Sequence, residues 1–136
     1  MRVCLDTNVL IAAFAARGLC ADVLRSVLTE HELVLGEVIL EEFRRVLRSK
    51  LRVPPGRIES AEAVFSAIEI LPKPGRPAEL QIRDRTDRWI VATALLGNAD
   101  VLVTGDRHLL DIAEEAPLRI LSPREFWTLL RGGSSK

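Results

Sequence analysis

Four acidic residues stand where a strand or helix is expected to begin or end. They are Asp6 in Val3-Cys4-Leu5-Asp6-Thr7-Asn8, Glu42 in Ile39-Leu40-Glu41-Glu42-Phe43, Asp87 in Arg85-Thr86-Asp87-Arg88-Trp89-Ile90, and Asp106 in Val103-Thr104-Gly105-Asp106. Asp6 and Asp106 closely follow short apolar runs that read as buried parallel strands. In open α/β sheets, ligands bind beyond the carboxyl ends of the strands. Carboxylates gathered there repel one another unless a hard cation sits between them. Mg²⁺ or Mn²⁺ held by carboxylates and water is the usual solution, and its usual work is on phosphate esters.

Each acid also has a purely structural reading. Asp6, Asp87 and Asp106 stand at or near the start of a predicted helix, where Asp caps the free amides and favours the positive end of the dipole. Taken one at a time, capping is the better reading. Three features favour a site. Thr7 and Asn8 follow Asp6, and Thr104-Gly105 precedes Asp106. Small polar side chains there can hydrogen-bond a carboxylate and orient it, and Gly105 would let backbone approach closely. Asp87 shares a helix face with Ile90 and Val91, three and four residues on, so it points toward the core and needs a partner or a cation. The third feature separates Glu41 from Glu42. The stripe Ile39, Phe43, Val46, Leu47 faces the core, so Glu41 points away from it while Glu42 lies at its edge. Asp84, in Arg83-Asp84-Arg85, either pairs with those arginines or adds an acid to the same rim.

The elements that must position these residues can be read along the chain. Residues 2–5 form a short buried strand. Helices are expected over 7–15 and 21–29, with Gly18 between them, followed by a strand over 32–35. A helix runs from Gly36 to about Leu51, where Pro54-Pro55-Gly56 is a stop. A further helix covers 58 to about 68, with Ala61, Val64, Phe65 and Ile68 as its apolar stripe, and Ile70-Leu71 is a possible strand end. Residues 72–77 hold three prolines and a glycine and read as a surface loop. Then come a buried helix over 86–96, a strand over 101–103, a helix over 107–115 and a strand over 118–121. Ser122-Pro123-Arg124-Glu125 opens a final helix with a Ser cap, Pro at the first position and Glu at the third. Strand and helix alternate without a tight hairpin signal. The expectation is a single α/β domain over residues 1–131, a mostly parallel sheet with helices on both faces, and a flexible tail over 132–136.

The 136 residues, 48% hydrophobic, suffice for one domain with a real core. No apolar run is long enough to span a bilayer, and the amino terminus meets an acid too soon for a secretory signal. Cys4 and Cys20 have no metal-like spacing and read as two buried thiols in a reducing cytoplasm. His31 and His108 read as ordinary surface or partly buried histidines. Formal net charge is zero, with 19 basic and 19 acidic residues, which does not advertise a nucleic-acid binder. Yet Arg44 to Arg57 holds six basic residues and no acidic one, and Arg83, Arg85 and Arg88 surround Asp87. Arg44, Arg45, Arg48, Arg85 and Arg88 are therefore candidates for phosphate contact. For a single short run a solvated helix face is the slightly stronger reading.

At these residues the chain resembles the PIN-domain proteins of the VapC-type, toxin-related branch, over nearly its whole length. The matching pieces are the strand ending Leu5-Asp6-Thr7-Asn8-Val9-Leu10, the apolar-Glu-Glu-Phe helix followed by Val46-Leu47, Asp87-Arg88-Trp89-Ile90-Val91-Ala92 followed by Ala94, Val103-Thr104-Gly105-Asp106, and the closing Ile120-Leu121-Ser122-Pro123-Arg124-Glu125-Phe126. No piece is specific alone; their order and spacing are. The resemblance implies a three-layer α/β/α sandwich, a Mg²⁺- or Mn²⁺-dependent ribonuclease, and Asp6, Glu42, Asp87 and Asp106 as the acidic set. Asp6, Asp87 and Asp106 would bind metal, with Asn8 and Thr104 as supporting polar residues. In such a site the metal activates a water, which Thr104 or Asn8 could position; one or two ions fit this reading, and a second, about 4 Å away, could stabilise the leaving oxygen. Relatives often carry a denser acidic run at residues 83–87, which leaves open whether Asp84 or Asp87 is the closer ligand. The resemblance also implies an RNA substrate, an antitoxin partner and a homodimer. The surface expected to pair lies around Ile11, Phe14 and Leu19, and around Phe126, Trp127 and Leu130.

Two other readings compete. A haloacid-dehalogenase-like phosphatase also has a strand-end Asp and a late Gly-Asp, but needs an acid two residues after the first, where this chain has Asn8. A PIN domain that only binds RNA or a protein partner differs by lacking metal-dependent cleavage.

Overall fold

The computed structural model describes residues 1–79 and 85–132, with Arg85 and Thr86 described by backbone alone. Asp84 and residues 133–136 of the expected tail lie outside the described residues.

Among the described residues five strands form one parallel sheet in the order β3-β2-β1-β4-β5. They are β1 (Arg2–Leu5), β2 (Glu32–Gly36), β3 (Ile70–Leu71), β4 (Val101–Val103) and β5 (Arg119–Leu121). The helices are α1 (Thr7–Ala15) and α2 (Leu19–Glu30) after β1, α3 (Glu37–Ser49) and α4 (Pro55–Ala63) after β2, and α5 (Arg85–Leu96) after β3. α6 (Arg107–Asp111) follows β4, and α7 (Pro123–Leu130) follows β5. The first two connections step one way from β1 and the later two step the other way. Right-handed crossovers therefore lay their helices on opposite faces, giving the α/β architecture the alternation implied.

Burial follows from that layering. Val3, Cys4 and Leu5 in β1 and Val101, Leu102 and Val103 in β4 are buried without alternation, as strands covered on both faces must be. Phe14 of α1, Phe43 of α3 and Phe65 beyond α4 meet edge to face, with ring centroids 5.5, 5.9 and 6.2 Å apart. This cluster fixes the rotation of α3 and hence of Glu42, the residue before Phe43.

α5 is seated by close approach. A Cβ on Gly36 would lie 2.6 Å from Thr93 Cγ2, and one on Gly97 would lie 2.4 Å from Val34 Cγ1. Both glycines are therefore contact points where α5 lies against β2. Because α5 crosses from the end of β3 to the start of β4, its first turn sits at the carboxyl edge of the sheet.

Several sequence expectations are corrected. Pro54-Pro55-Gly56 also starts a helix, since Pro55 is the first residue of α4, where its missing amide has no intrahelical acceptor to lose. α4 ends at Ala63 rather than near residue 68. The chain tightens there into three-residue turns, with Phe65 N–H donating to Glu62 O and Ser66 N–H to Ala63 O. These bury Phe65 and leave Val64 45% exposed, so Val64 is not part of the core stripe. The helix expected over 107–115 divides into α6 and a 3₁₀ turn at Ala113–Glu115. Cys4 is buried but Cys20 is only half-buried. Phe126 is fully buried and offers no apolar surface, while Phe14 is half-buried in the aromatic cluster. Among the described residues the large apolar side chains that are exposed are Met1, Leu51, Val64, Leu95 and Leu96. Among the described residues no single helix is long and apolar enough to cross a membrane.

Candidate functional site

Asp6 is held at the carboxyl edge by both neighbours in sequence and sheet. Its N–H donates to Val103 O at 3.0 Å, continuing the β1–β4 pairing one residue past the strand. Its own backbone is extended, and its carbonyl accepts from Val9 and Leu10 at the start of α1. The carboxylate is 3% exposed. Oδ1 accepts from Thr7 N–H at 2.7 Å and Oδ2 from the Thr104 hydroxyl at 2.7 Å.

Thr104 is the joint between two of the acids. It is buried, and its N–H donates to Leu121 O at 2.9 Å, which fixes it to β5. While its hydroxyl donates to Asp6, it accepts from Asp106 N–H at 3.0 Å. Its one proton is thus committed to Asp6, so Thr104 orients that carboxylate. Asp106 is half-buried and caps α6, accepting from His108 N–H at 2.8 Å. Capping and membership of an acidic group are therefore compatible: one oxygen serves the helix and the charge remains at the rim.

Glu42 comes from the other side, on α3. It is half-buried where Glu41 is exposed, as the helical stripe required. Its Oε2 lies 3.6 Å from Arg45 Nη2, one turn on. The charges of Glu42 and Asp106 both act on Asp6. Burial pushes the Asp6 carboxyl up to about 6, and these two like charges add to the effect against the hydrogen bonds from Thr104 and Thr7. The structure thus brings Asp6, Thr104, Asp106 and Glu42 into one electrostatic group. Asp87 is buried at 5% exposure in the first turn of α5, at the same edge of the sheet.

The supporting candidates separate. Asn8 is exposed on α1. Gly105 has no atom within 4 Å of a Cβ built on it, so no close backbone approach uses it. Arg44 is tied to Glu62 on α4, Nε to Oε2 at 2.8 Å, which raises its pKa. Arg48 is exposed and Arg88 half-buried. Thr7 was legible only as a neighbour of Asp6, yet it is 1% exposed and supplies a donor to that carboxylate. A Thr directly after a strand-end Asp was the available signal.

The donor set suits a hard cation. Asp6 presents anionic oxygens with two further acids bearing on it, and the buried Thr7 hydroxyl beside it has no hydrogen-bond partner among the described residues. Among those residues no three acidic, His or Cys side chains converge to cage an ion directly. No preformed cage is therefore present among the described residues; a hard cation that keeps several waters and leans on one or two carboxylates would still suit these donors. Among the described residues the clefts of about 640 and 580 Å³ are lined by residues other than these acids. Asp6 and Asp87 are buried, Glu42 and Asp106 are half-buried at the edge, and a shallow cleft of about 290 Å³ lies against Glu42 and Arg45.

Comparison with known proteins agrees with this geometry. The chain superposes on VapBC2 from Rickettsia felis, solved bound to a DNA fragment from its promoter, with a TM-score of 0.61 and 18% identity, covering 90% of this chain and 98% of that one. FitAcB from Neisseria gonorrhoeae gives 0.60 and 19%, with the same coverage. At such identities the likeness is one of fold. No curated protein matches in sequence. The sequence model of the PIN domain matches residues 2–108, a span that holds all four acids. The chain belongs to the PIN-domain family.

Proposed function

We propose that this chain is a Mg²⁺- or Mn²⁺-dependent endoribonuclease, and that it is the toxin of a toxin–antitoxin pair. The observation that carries the reading is the buried Asp6 carboxylate, locked by Thr104 and Thr7 while Glu42 and Asp106 bear on it. A fold maintains such repulsion where a cation is to be held. Asp6 would be the central ligand, with Asp106 and Asp87 contributing directly or through water, and Glu42 at the rim. Asp84 remains a further candidate on the same segment as Asp87. A bound divalent ion would supply an activated water and charge screening at the scissile phosphate.

The chain's own residues do the rest. Thr104 and Thr7 fix the orientation of Asp6, so the carboxylate need not reorganise when substrate arrives. The edge that carries Glu42 and Asp106 would admit a strand of RNA. Arg48 is available to its phosphates and Arg88 and Arg85 are further candidates, whereas Arg45 must first leave Glu42 and Arg44 must leave Glu62. Asn8, exposed beside Asp6, can hydrogen-bond a substrate or water at the rim. The likeness to VapBC2 supports an antitoxin partner. A homodimer and a cytoplasmic location complete the reading.

The test is cleavage of labelled single-stranded RNA in Mn²⁺, in Mg²⁺ and in EDTA. The reading requires cleavage in metal, none in EDTA, and none by an Asp6→Asn variant that retains the wild-type circular dichroism spectrum. RNA binding without cleavage in either metal would leave a non-catalytic PIN domain.

A further inference from the structure

Trp89 stands two residues beyond Asp87, about 3 Å further along α5 and roughly 200° around it. Asp87 therefore faces inward and Trp89 outward, over the same end of the helix. Trp89 is half-buried, and one face of its ring is covered by the Lys73 ammonium, 4.4 Å from the ring centroid. The segment carrying Lys73 is fastened to α5 close by, where Ala78 N–H donates to Arg88 O at 3.1 Å. Lys73 is exposed and has no acidic partner among the described residues. Arg88, between Asp87 and Trp89, is likewise in no ion pair there, and its Nε is buried without a hydrogen-bond partner.

An indole face beside two cations that no described acid neutralises has the composition of a single-strand stacking platform. Any base can stack on the ring, and the cations suit the backbone phosphates on either side. An ammonium over an indole at the surface is held only weakly, so a base can displace it at small cost. The arrangement gains a purpose if the ammonium yields the ring to a base and moves to a phosphate.

The geometry points to Trp89, flanked by Lys73 and Arg88, as a subsite that stacks an unpaired base of the RNA strand. This rests on the ribonuclease reading and adds to it a contact: one base engaged by stacking, with little sequence readout. A base-paired segment cannot offer a free base face, so duplex RNA should be a poor ligand.

The chain has two tryptophans, Trp89 and Trp127, so a Trp127→Phe variant reports on Trp89 alone. It is titrated in EDTA with an unlabelled single-stranded oligoribonucleotide, following indole emission. Anisotropy of a labelled copy gives the binding curve. The expected result is quenching of Trp89 that saturates with binding, absent with a duplex of the same sequence. A Trp89→Leu variant should bind roughly tenfold or more weakly, within the range seen for loss of one stacked base. Should Trp89→Leu fail to fold, the quenching experiment still decides. Binding without quenching, or unchanged affinity in folded Trp89→Leu, overturns the subsite and leaves the ribonuclease reading standing. Absence of any RNA binding, with cleavage absent in Mn²⁺ as well, overturns both.

Discussion

The Thr104 hydroxyl donates to Asp6 Oδ2 at 2.7 Å, joining two residues 98 apart in sequence at the adjacent ends of β1 and β4. The bond is buried, and the same hydroxyl accepts the Asp106 amide at 3.0 Å. One small side chain thus sets the orientation of one acid and the backbone position of another. Replacing it with the isosteric valine removes the donor and leaves a buried carboxylate oxygen short of a partner. Thr104→Val should lose about 1–3 kcal/mol of stability. It should also raise the pKa of Asp6 further, because a bond that favours the anion has gone. Any pH–rate profile that depends on ionised Asp6 should then shift to higher pH. Thr104→Ser keeps the hydroxyl and should restore the profile. Equal behaviour of Val and Ser variants in both stability and pH profile would show that the bond does not matter.

The burial of Asp6 makes stability depend on pH in a definite direction. Its carboxyl is raised from 3.8 to about 6 in the folded chain. Between those values the folded chain keeps a proton that the unfolded chain has already released. Stability therefore falls as pH rises through this window, by about 3 kcal/mol in all, and stays lower above it. Other carboxylates add slopes of their own, so the quantity to measure is the difference between wild type and Asp6→Asn in urea unfolding with EDTA. That difference should move against wild type as pH rises from about 4 to about 7. A difference independent of pH would mean that Asp6 titrates normally.

Much of this was legible before any coordinates, and the reason is local. Asp6 and Asp106 follow apolar runs short enough to be only strands, so both acids were placed at strand ends by sequence alone. The period of α3 separated Glu42 from Glu41. The pattern did not reveal that Thr104 bonds Asp6, because that contact depends on β4 pairing with β1, a long-range choice that no local period encodes. Val64 misled for a related reason. Its spacing fits an α-helix, but the chain winds more tightly after Ala63, and a three-residue turn points it outward. Gly105 looked like a contact glycine while the contact glycines are Gly36 and Gly97, whose role depends on α5 lying against β2.

Asp106 serves the helix and the acidic group at once, and two substitutions separate the roles. Asn caps a helix about as well as Asp, so Asp106→Asn keeps the bond to His108 N–H while removing a charge that opposes Asp6 ionisation. It should raise the melting temperature in EDTA near neutral pH. Asp106→Ala loses the cap as well, at a cost of about 1 kcal/mol, and should melt below Asp106→Asn. Mn²⁺ should stabilise wild type by mass action, by about 2.7 kcal/mol at a hundredfold excess over Kd. Asp6→Asn should abolish that gain. A wild-type melt indifferent to Mn²⁺, with Asp106→Asn less stable than wild type, would leave Asp106 as a cap alone.

The seat of α5 predicts which glycines tolerate a methyl group. A Cβ on Gly97 would lie 2.4 Å from Val34 Cγ1 and 2.9 Å from Leu71 Cδ1, so β2 and β3 would both have to give way. Gly97→Ala should destabilise by about 1–3 kcal/mol, the usual range for overpacking. A Cβ on Gly105 meets nothing within 4 Å, so Gly105→Ala should be close to neutral in stability although it lies beside two site residues. The comparison bears on function as well. Displacing α5 moves the turn that carries Asp87, so Gly97→Ala should also weaken any stabilisation by Mn²⁺ that Asp87 contributes to. Denaturant unfolding of the two variants, with and without Mn²⁺, reads both effects. A neutral Gly97→Ala would show that α5 can lift off β2 at little cost, and that the position of Asp87 is set by something other than this contact.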